Sequence, residues 1–523
     1  MKNLKELVLI LTFSSMVVSG YGQNLIPTEQ PTAVENQLFG YAISVSDWRA
    51  VVSAPQKDIA ESTSLGSAFF YERTETGWEI KTEITPTGLP AFSNFGIAAK
   101  LAGNTALISS LGSERGILME ESVFVYEHND TSWVNTQVLR PSDSKPGLRF
   151  GYSLDIAEHL ELAIVGAHQA DGNEPKSGAA YLFERQEGIW VQIAKLVAED
   201  GEPHDFFGYT VLFLDGNQIA VGAYNATGAN ERSGAVYIFE KDENEDWIQA
   251  AKLFDPNGSS SDLFGYTLAT QIGVPIPVKA SSFYRFGTLF IGAPGSNNEN
   301  GVQTGSVYFY DQQEGIWNLT SEFFDESSEA NDHFGISIAH NSLSGLFIGA
   351  NRTGTNKGKI YSYGYYHGEE EVTPFAFEGN TPEPDIQYYG SRISSNSSAD
   401  IIIASPYSSV SDKNNSGVVQ FYNTPITPNE EEIEVVEEYM LEQNYPNPFN
   451  PSTQINYQVK EAGLVKLSVF NLLGQEVQTL VNEQKTNGAY SVNFDASALS
   501  SGFYFYRLEV NDFVSVKKMM LIK

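Results

Sequence analysis

The 523-residue chain contains no cysteine. Disulfide staples and thiol catalysis are both excluded, although the N-terminus described below implies an oxidising compartment. Positive charge is scarce: 31 Lys and Arg face 65 Asp and Glu, a net charge of −34. Such a surface repels phosphate backbones and argues against a nucleic-acid partner. Solubility, or life in salty water, explains the acidity more simply than a specific cationic ligand. Histidine numbers only seven: His128, His159, His168, His204, His333, His340 and His367. No two of them have metal-ligand spacing, and neither a Gly-x-Ser-x-Gly elbow nor a phosphate loop occurs. Helical periodicity is missing throughout, and so are long apolar runs, with one exception.

That exception is residues 7–18, an apolar stretch preceded by Lys2 and Lys5 and followed by Gly20-Tyr21-Gly22. Basic flank, short apolar core and small residues read as a signal peptide over residues 1–22, cleaved before Gln23. The run is short for a membrane span, and the alternative is a retained N-terminal anchor. No other segment is apolar for long enough to span, so the mature chain is expected to carry no transmembrane segment.

What the chain has in abundance is Gly (45), Tyr (27) and Phe (32), as turns and strands require. An aromatic-Gly pair recurs seven times: Phe39-Gly40, Phe95-Gly96, Phe150-Gly151, Phe207-Gly208, Phe264-Gly265, Phe334-Gly335 and Tyr389-Gly390. The spacings are 56, 55, 57, 57, 70 and 55 residues, a period that signals a propeller or solenoid array. Each repeat has one inner grammar. A short alternating run follows the pair, then a tight turn such as Ala102-Gly103-Asn104 or Asp215-Gly216-Asn217. Next comes a small-residue run such as Val165-Gly166-Ala167 or Ile291-Gly292-Ala293-Pro294 and a variable polar loop. A third, aromatic-rich run opens on Gly66, Gly178, Gly234 or Gly305. In five repeats a fourth begins at Trp78, Trp133, Trp190, Trp247 or Trp317.

Four strands per repeat and seven repeats predict an all-β chain: a seven-bladed β-propeller over residues 23–423, followed by a small C-terminal β-sandwich. Gly and Ala in the second strand fit sheets whose backbones approach closely around a narrow axis. The seventh repeat stops after Gly417-Val418-Val419-Gln420-Phe421-Tyr422, without a fourth strand. A spare extended segment, residues 24–34, precedes the first repeat. It is expected to complete the last blade and close the ring.

The Phe-Gly and Gly-Ala-Pro pairs resemble the FG-GAP repeats of integrin α-subunit propellers and their bacterial relatives. The resemblance covers residues 24–423, and its weak motifs gain force from seven registered copies. That family carries a calcium loop, Asp-x-Asp-x-Asp-Gly, between its first two strands. Here the connection is a short turn, as in Ser46-Asp47-Trp48-Arg49 or Ala157-Glu158-His159, so calcium is not carried over and no cofactor is expected. The long fifth spacing comes from an insertion at residues 271–286, which contains no Asp or Glu.

After Tyr422, residues 424–438 read as an extended acidic linker, with six Glu between positions 430 and 438. From Leu441 onward seven basic residues balance seven acidic ones, so the tail is neutral and the body carries the negative charge. Alternating runs such as 454–459 and 465–470 supply one buried face of a sandwich over residues 439–523. The tail opens on Asn444-Tyr445-Pro446-Asn447-Pro448-Phe449-Asn450-Pro451, continues through Gly474 and Gly502-Phe503-Tyr504, and ends with Lys517 and Lys518 before Met519. This order closely resembles the type A sorting domain of the type IX secretion system of Bacteroidetes-like bacteria. The resemblance implies these residues as sorting signal and the type IX machinery at the outer membrane as partner. It also implies a secreted or cell-surface location, with the tail cleaved or the cargo anchored.

No catalytic constellation is visible. Asp171, Asp200, Asp205, Asp262, Asp325 and Asp332 recur in loops and fit paired carboxylates for sugar hydrolysis, but their repeat-equivalent placement favours solvated turn residues. Five Trp share one repeat position, which favours packing over carbohydrate stacking. Trp48 stands apart in a first-to-second-strand turn. Antiparallel meanders put the loops after the second and fourth strands on one face. They include residues 56–65, 169–177, 225–233, 296–304 and 199–205, and that face is where a protein or glycan ligand is expected. The reading is a non-catalytic binding or adhesion protein. The alternatives are a propeller-scaffold lyase or hydrolase and a structural surface component.

Overall fold

The computed structural model describes residues 24–26, 28, 30–59, 63–112, 120–129, 131–214, 218–271, 288–298, 301–313, 315–325, 329–341, 345–352, 357–363, 386–396, 400–410, 412–423, 439–441, 443–444, 446–460, 463–472, 474–485, 488–511 and 513–523. The expected leader, the acidic linker, the 215–217 turn and all but the first residue of the 271–286 insertion lie outside them. The chain divides into two compact units, residues 1–426 and 427–523.

The first unit is a β-propeller whose described strands form seven antiparallel sheets. Their innermost strands are Ile43–Ser46, Phe95–Ala102, Phe150–Ala157, Thr210–Phe213, Thr267–Thr270, Phe334–Asn341 and Arg392–Ser395. Each inner strand packs on that of the next sheet, and the seventh packs on the first, so the sheets close into a ring. The second strand of every sheet is buried along its whole length. Outer strands alternate, as in the exposed Ile189, Val191 and Ile193 of the third sheet. Among the described residues the only helical element is one 3-10 turn, Glu158–Leu160. The sixth sheet shows three strands, and the residues that would follow its third lie outside the description.

The seventh sheet takes its outer strand from the other end of the chain. Asn24–Ile26 pairs antiparallel with Val418–Asn423, placing Asn24 opposite Asn423 and Ile26 opposite Phe421. Gln30 Nε2 donates to Val419 O at 2.9 Å, and Asn36 N donates to Asn414 O at 2.8 Å. The clasp expected from the truncated seventh repeat is therefore present, in a strand of three residues.

The aromatic-Gly pair is a ring-closing turn. The amide after the pair donates to the carbonyl three residues earlier, as Tyr209 N does to Phe206 O and Tyr266 N to Leu263 O. Glycine stands third in that turn with φ of +79° to +98°, the signature of a type II turn. The aromatic's own amide donates across to the preceding sheet: Phe264 N to Ser233 O at 3.0 Å and Phe334 N to Thr304 O at 2.9 Å. Phe39 N makes the same bond to Ser416 O at 3.2 Å, so the junction that closes the ring is built like the others. The glycine that opens the third strand in every repeat but the second lies directly against this turn. A methyl group on Gly178, Gly234, Gly305 or Gly417 would overlap the backbone of Phe207, Phe264, Phe334 or Phe39. Inner-strand hydroxyls add cross-links, from Ser153 Oγ to Gly208 O (3.0 Å) and from Thr267 Oγ1 to Gly335 O (2.8 Å).

The repeat-position tryptophans pack, as their register suggested. Trp78 stacks on Phe421 at 4.9 Å and Trp133 on Phe70 at 4.3 Å, each bridging to the preceding sheet. Trp48 is 48% exposed, with the Arg49 guanidinium 3.9 Å from its ring centroid.

The second unit is a sandwich of two sheets. One runs Met440–Leu441, Ser452–Val459, Gly488–Asp495. The other runs Glu476–Lys485, Gly463–Phe470, Gly502–Val510, Phe513–Leu521. Its core includes Phe449, Ile455, Leu467, Phe494, Tyr506 and Leu521.

Candidate functional site

The left-handed residues that precede each aromatic-Gly pair carry the chain onto one face of the ring. They are Leu38, Asn94, Arg149, Phe206, Leu263, His333 and Tyr388, all with φ between 48° and 62°. The residue after each pair lies within two residues of the start of an inner strand. At that position stand Tyr41, Ile97, Tyr152, Tyr209, Tyr266, Ile336 and Ser391. Three of these tyrosines form a continuous group. Tyr152 and Tyr209 have ring centroids 4.9 Å apart and hydroxyls 3.2 Å apart, and Tyr209 and Tyr266 lie 5.0 Å apart.

Residues just after the second strands extend the group. Tyr224 meets Tyr209 edge-on at 4.4 Å, and His168 meets Tyr152 edge-on at 4.4 Å. Phe206 touches both His168 and Tyr224. The tyrosines and Phe206 are half-buried, as residues at a channel mouth would be. Burial pushes the Tyr152 and Tyr209 hydroxyls well above the usual phenol range, so both are protonated donors at any physiological pH. Burial, with Arg149 adding to it, pushes His168 down to about 3, so its imidazole is neutral. His168 is 7% exposed, and its Nδ1 has no hydrogen-bond partner among the described residues.

Arg392 adds a cation to this group of rings. Arg392, in the seventh sheet, donates through Nε to Tyr41 O (3.2 Å) and through Nη1 to Ser391 O (2.8 Å), and its guanidinium lies 5.4 Å from the Tyr41 ring centroid. It is enclosed by protein yet keeps accessible surface, as a channel-lining group does. Tyr41, Tyr266, Tyr407 and Tyr152, from the first, fifth, seventh and third sheets, lie near enough to it for their hydroxyls to sense its charge if ionised. Arg392 forms no ion pair among the described residues.

For three of the loop aspartates the structure corrects the expectation of solvated turns, while Asp171 and Asp200 are exposed as expected. Asp205, Asp262 and Asp332 are only 4–5% exposed. Each accepts from a backbone amide three residues earlier: Glu202 N at 2.8 Å, Ser259 N at 2.5 Å and Glu329 N at 2.7 Å. They lock the turns that lead to the aromatic-Gly pairs, and burial raises Asp205 and Asp262 to about 6. Asp200 accepts from Tyr237 Oη (2.9 Å) and Lys252 Nζ (2.6 Å), Asp325 from Tyr361 Oη, and Asp171 from Lys145 and Lys176 N.

The sequence-predicted face, with its loops after the second and fourth strands, is where the axial group sits. These tyrosines were not singled out from the sequence; the signal that could have found them is Tyr in four of the seven positions after the aromatic-Gly pair. Arg392 and His168 carried no such signal.

In the second unit, several predicted sorting residues gather against the final strand. Asn444 N donates to Tyr506 Oη (2.7 Å), and Asn444 Nδ2 donates to Pro446 O (3.0 Å) and Thr453 Oγ1 (2.9 Å). Asn447 Oδ1 accepts from Met520 N at 2.8 Å, and its Nδ2 donates to Lys518 O at 3.3 Å. Phe449 is buried, and its backbone pairs with Met520 and Ile522. Pro448 and Asn450 are exposed, and Pro451 O accepts from Ala496 N. Gly474 sits apart, in the turn closed by Gly474 N to Asn471 O. Gly502 opens the next strand, and Tyr504 Oη donates to Ser500 O. Lys517 and Lys518 lie on the sheet-edge strand, with Lys518 Nζ 4.9 Å from the Phe503 ring centroid.

Comparisons with known proteins agree with these two units. Residues 133–183 and 190–239 match the FG-GAP repeat family, and residues 443–523 match the secretion system C-terminal sorting domain. The body thus carries FG-GAP repeats on a β-propeller, and the second unit is a type IX sorting domain. That domain implies interaction with the type IX machinery and export to the cell surface or the medium. No helix among the described residues is long and apolar enough to cross a membrane.

No curated protein sequence matches the chain significantly. Among solved structures, the periplasmic gluconolactonase PpgL of Pseudomonas aeruginosa is 11% identical, with 73% of this chain and 88% of that one covered, at a TM-score of 0.40. The β-propeller domain of the Trilobed protease from Pyrococcus furiosus is 9% identical, covering 73% and 92%, at 0.42. PorZ, a surface component of the type IX secretion system of Porphyromonas gingivalis, is 11% identical, covering 92% and 74%, at 0.24. The architecture rests on the chain's own sheets rather than on these likenesses.

Proposed function

We propose that the chain is a secreted or surface-displayed binding protein without catalytic activity, which holds its ligand at the axial mouth of the propeller. The observation that carries this reading is the convergence of Tyr41, Tyr152, Tyr209, Tyr266 and Arg392 on the axis, from different sheets. Half-buried aromatic rings with a few polar tips form a recognition surface on a rigid scaffold. The carboxylates that would serve hydrolysis are committed elsewhere, as turn locks or as acceptors for Tyr and Lys. The test displays the full chain against glycan and protein arrays, with parallel incubations of polysaccharides assayed for new reducing ends or unsaturated products. Retention without product supports the reading; product formation without retention sinks it.

A further inference from the structure

The charge at the axial mouth lacks its complement. In a chain with twice as many acidic as basic residues, Arg392 has no carboxylate partner among the described residues. Two of its five N–H groups are bound to main-chain carbonyls, and Nη2 has no protein partner among the described residues. A guanidinium that keeps accessible surface is hydrated when alone, and its fork matches a two-oxygen anion that can replace that water. The groups around it are tyrosines, which present apolar ring faces together with hydroxyl donors. Beside them His168, more than nine-tenths buried, leaves Nδ1 unpartnered. A bare anion would use the guanidinium and leave the rings idle. A sugar ring bearing an anionic group would use both, stacking its C–H face on tyrosine and placing its oxygens against the guanidinium and the phenols.

We infer that the axial mouth binds an acidic glycan, with Arg392 holding the sugar's carboxylate or sulfate and the Tyr152–Tyr209–Tyr266 group holding its ring. This rests on the binding reading above and gives its ligand a class. The acidic body repels polyanions at long range, so attachment depends on local positive charge at the mouth.

The experiment measures binding of the full chain by calorimetry to four probes. Oligogalacturonate carries carboxylates, carrageenan oligosaccharide carries sulfates, laminarin oligosaccharide is neutral, and polyglutamate is acidic without sugar. The variants are Arg392→Gln, Arg392→Lys and Tyr209→Ile, each checked for an unchanged melting temperature. Trp48→Ala is the control, because its turn lies on the opposite face. Binding of oligogalacturonate or carrageenan that falls tenfold or more in Arg392→Gln, falls less in Arg392→Lys and persists in Trp48→Ala supports the inference. The stronger of those two probes identifies the anion. If Arg392→Gln itself unfolds, the same loss in Tyr209→Ile serves as support. Equal binding of laminarin, binding of polyglutamate alone, or anionic binding indifferent to both sites overturns it. Silence toward all four probes, with another ligand retained on the arrays, overturns the acidic-glycan class and leaves the binding reading standing.

Discussion

Replacing Gly234 by Ala separates the two costs that the ring places on its glycines. Gly234 has φ +98° and lies under the Phe264 turn, where a Cβ would stand 2.6 Å from Phe264 N and closer still to its carbonyl oxygen. Gly188 has φ +82° but faces open space, with nothing within 4 Å of its would-be Cβ. Both substitutions carry the left-handed penalty of an L-residue, about 1 kcal/mol. Only Gly234→Ala must also push the fifth sheet outward. That strains the 3.0 Å bond from Phe264 N to Ser233 O and the bridge between Gly234 and Phe264. An unmade buried hydrogen bond costs about 1–3 kcal/mol and overpacking about as much again, so Gly234→Ala should lose ~3–7 kcal/mol in all. With an unfolding entropy of about 2.1 cal/mol/K per residue over roughly 400 residues, that is a fall in melting temperature of ~4–8 °C, against ~1 °C for Gly188→Ala. Scanning calorimetry of the full chain reads both. Equal, small losses for the two variants would refute the claim that close backbone contact between sheets fixes the glycine.

Three further outcomes follow from other contacts. Tyr209→Ile should fold with a loss of no more than ~1 kcal/mol, because Ile97 and Ile336 already occupy the equivalent position; a melting curve checks it, and loss of the cooperative transition would contradict it. Asp205→Asn should stabilise the propeller progressively as pH rises from about 4 to about 6, and by its full amount above that. The folded carboxyl is raised from 3.8 to about 6, so the wild type keeps its proton-linked stability at low pH and loses it as pH rises through that window. The asparagine keeps the bond from Glu202 N without that loss, so its advantage of ~1–3 kcal/mol should be present at pH 7.5 and gone at pH 4; a pH-independent difference would rule this out. Tyr506→Phe leaves the Asn444 amide without its acceptor, and should cost the second unit ~1–3 kcal/mol. In a host with a type IX system, secreted yield should fall while the propeller's melting transition stays in place.

Much of the architecture was legible because ring closure uses the backbone and so dictates residue type. The aromatic-Gly pair, the glycine before the third strand and the missing fourth strand of the seventh repeat all leave a mark at fixed spacing. The clasp by Asn24–Ile26 could be expected from that bookkeeping of strands alone. Three of the loop aspartates, Asp205, Asp262 and Asp332, are buried against expectation, because spacing reveals that a position recurs and not whether water reaches it. Asp205 and Asp262 reach back to amides three residues away, a bond that only three-dimensional turn geometry displays. The second repeat shows the same limit. It lacks the glycine before its third strand, and the buried carboxylate of Glu121 instead accepts from Gly147 N and Arg149 N.

The axial mouth was half visible for a related reason. The residue after each aromatic-Gly pair is delivered to the axis by a turn whose hydrogen bonds involve only main-chain atoms. Those main-chain bonds do not require a particular side chain, so the fold accommodates Tyr, Ile or Ser there. A position that the repeat fixes in space but leaves free in chemistry is where a ring of similar sheets can become asymmetric without losing stability. Four tyrosines use that freedom. Arg392, one residue further along in the seventh sheet, uses the neighbouring position, where Ser153, Thr267 and Ser337 instead hydrogen-bond across to the next sheet. Its Nε makes the corresponding reach to Tyr41 O, so the cation keeps the structural duty of its position while placing the rest of its guanidinium at the mouth. Closure and recognition therefore meet in one side chain, and the seventh-to-first junction, where the two ends of the propeller are joined, is also where the mouth acquires its charge.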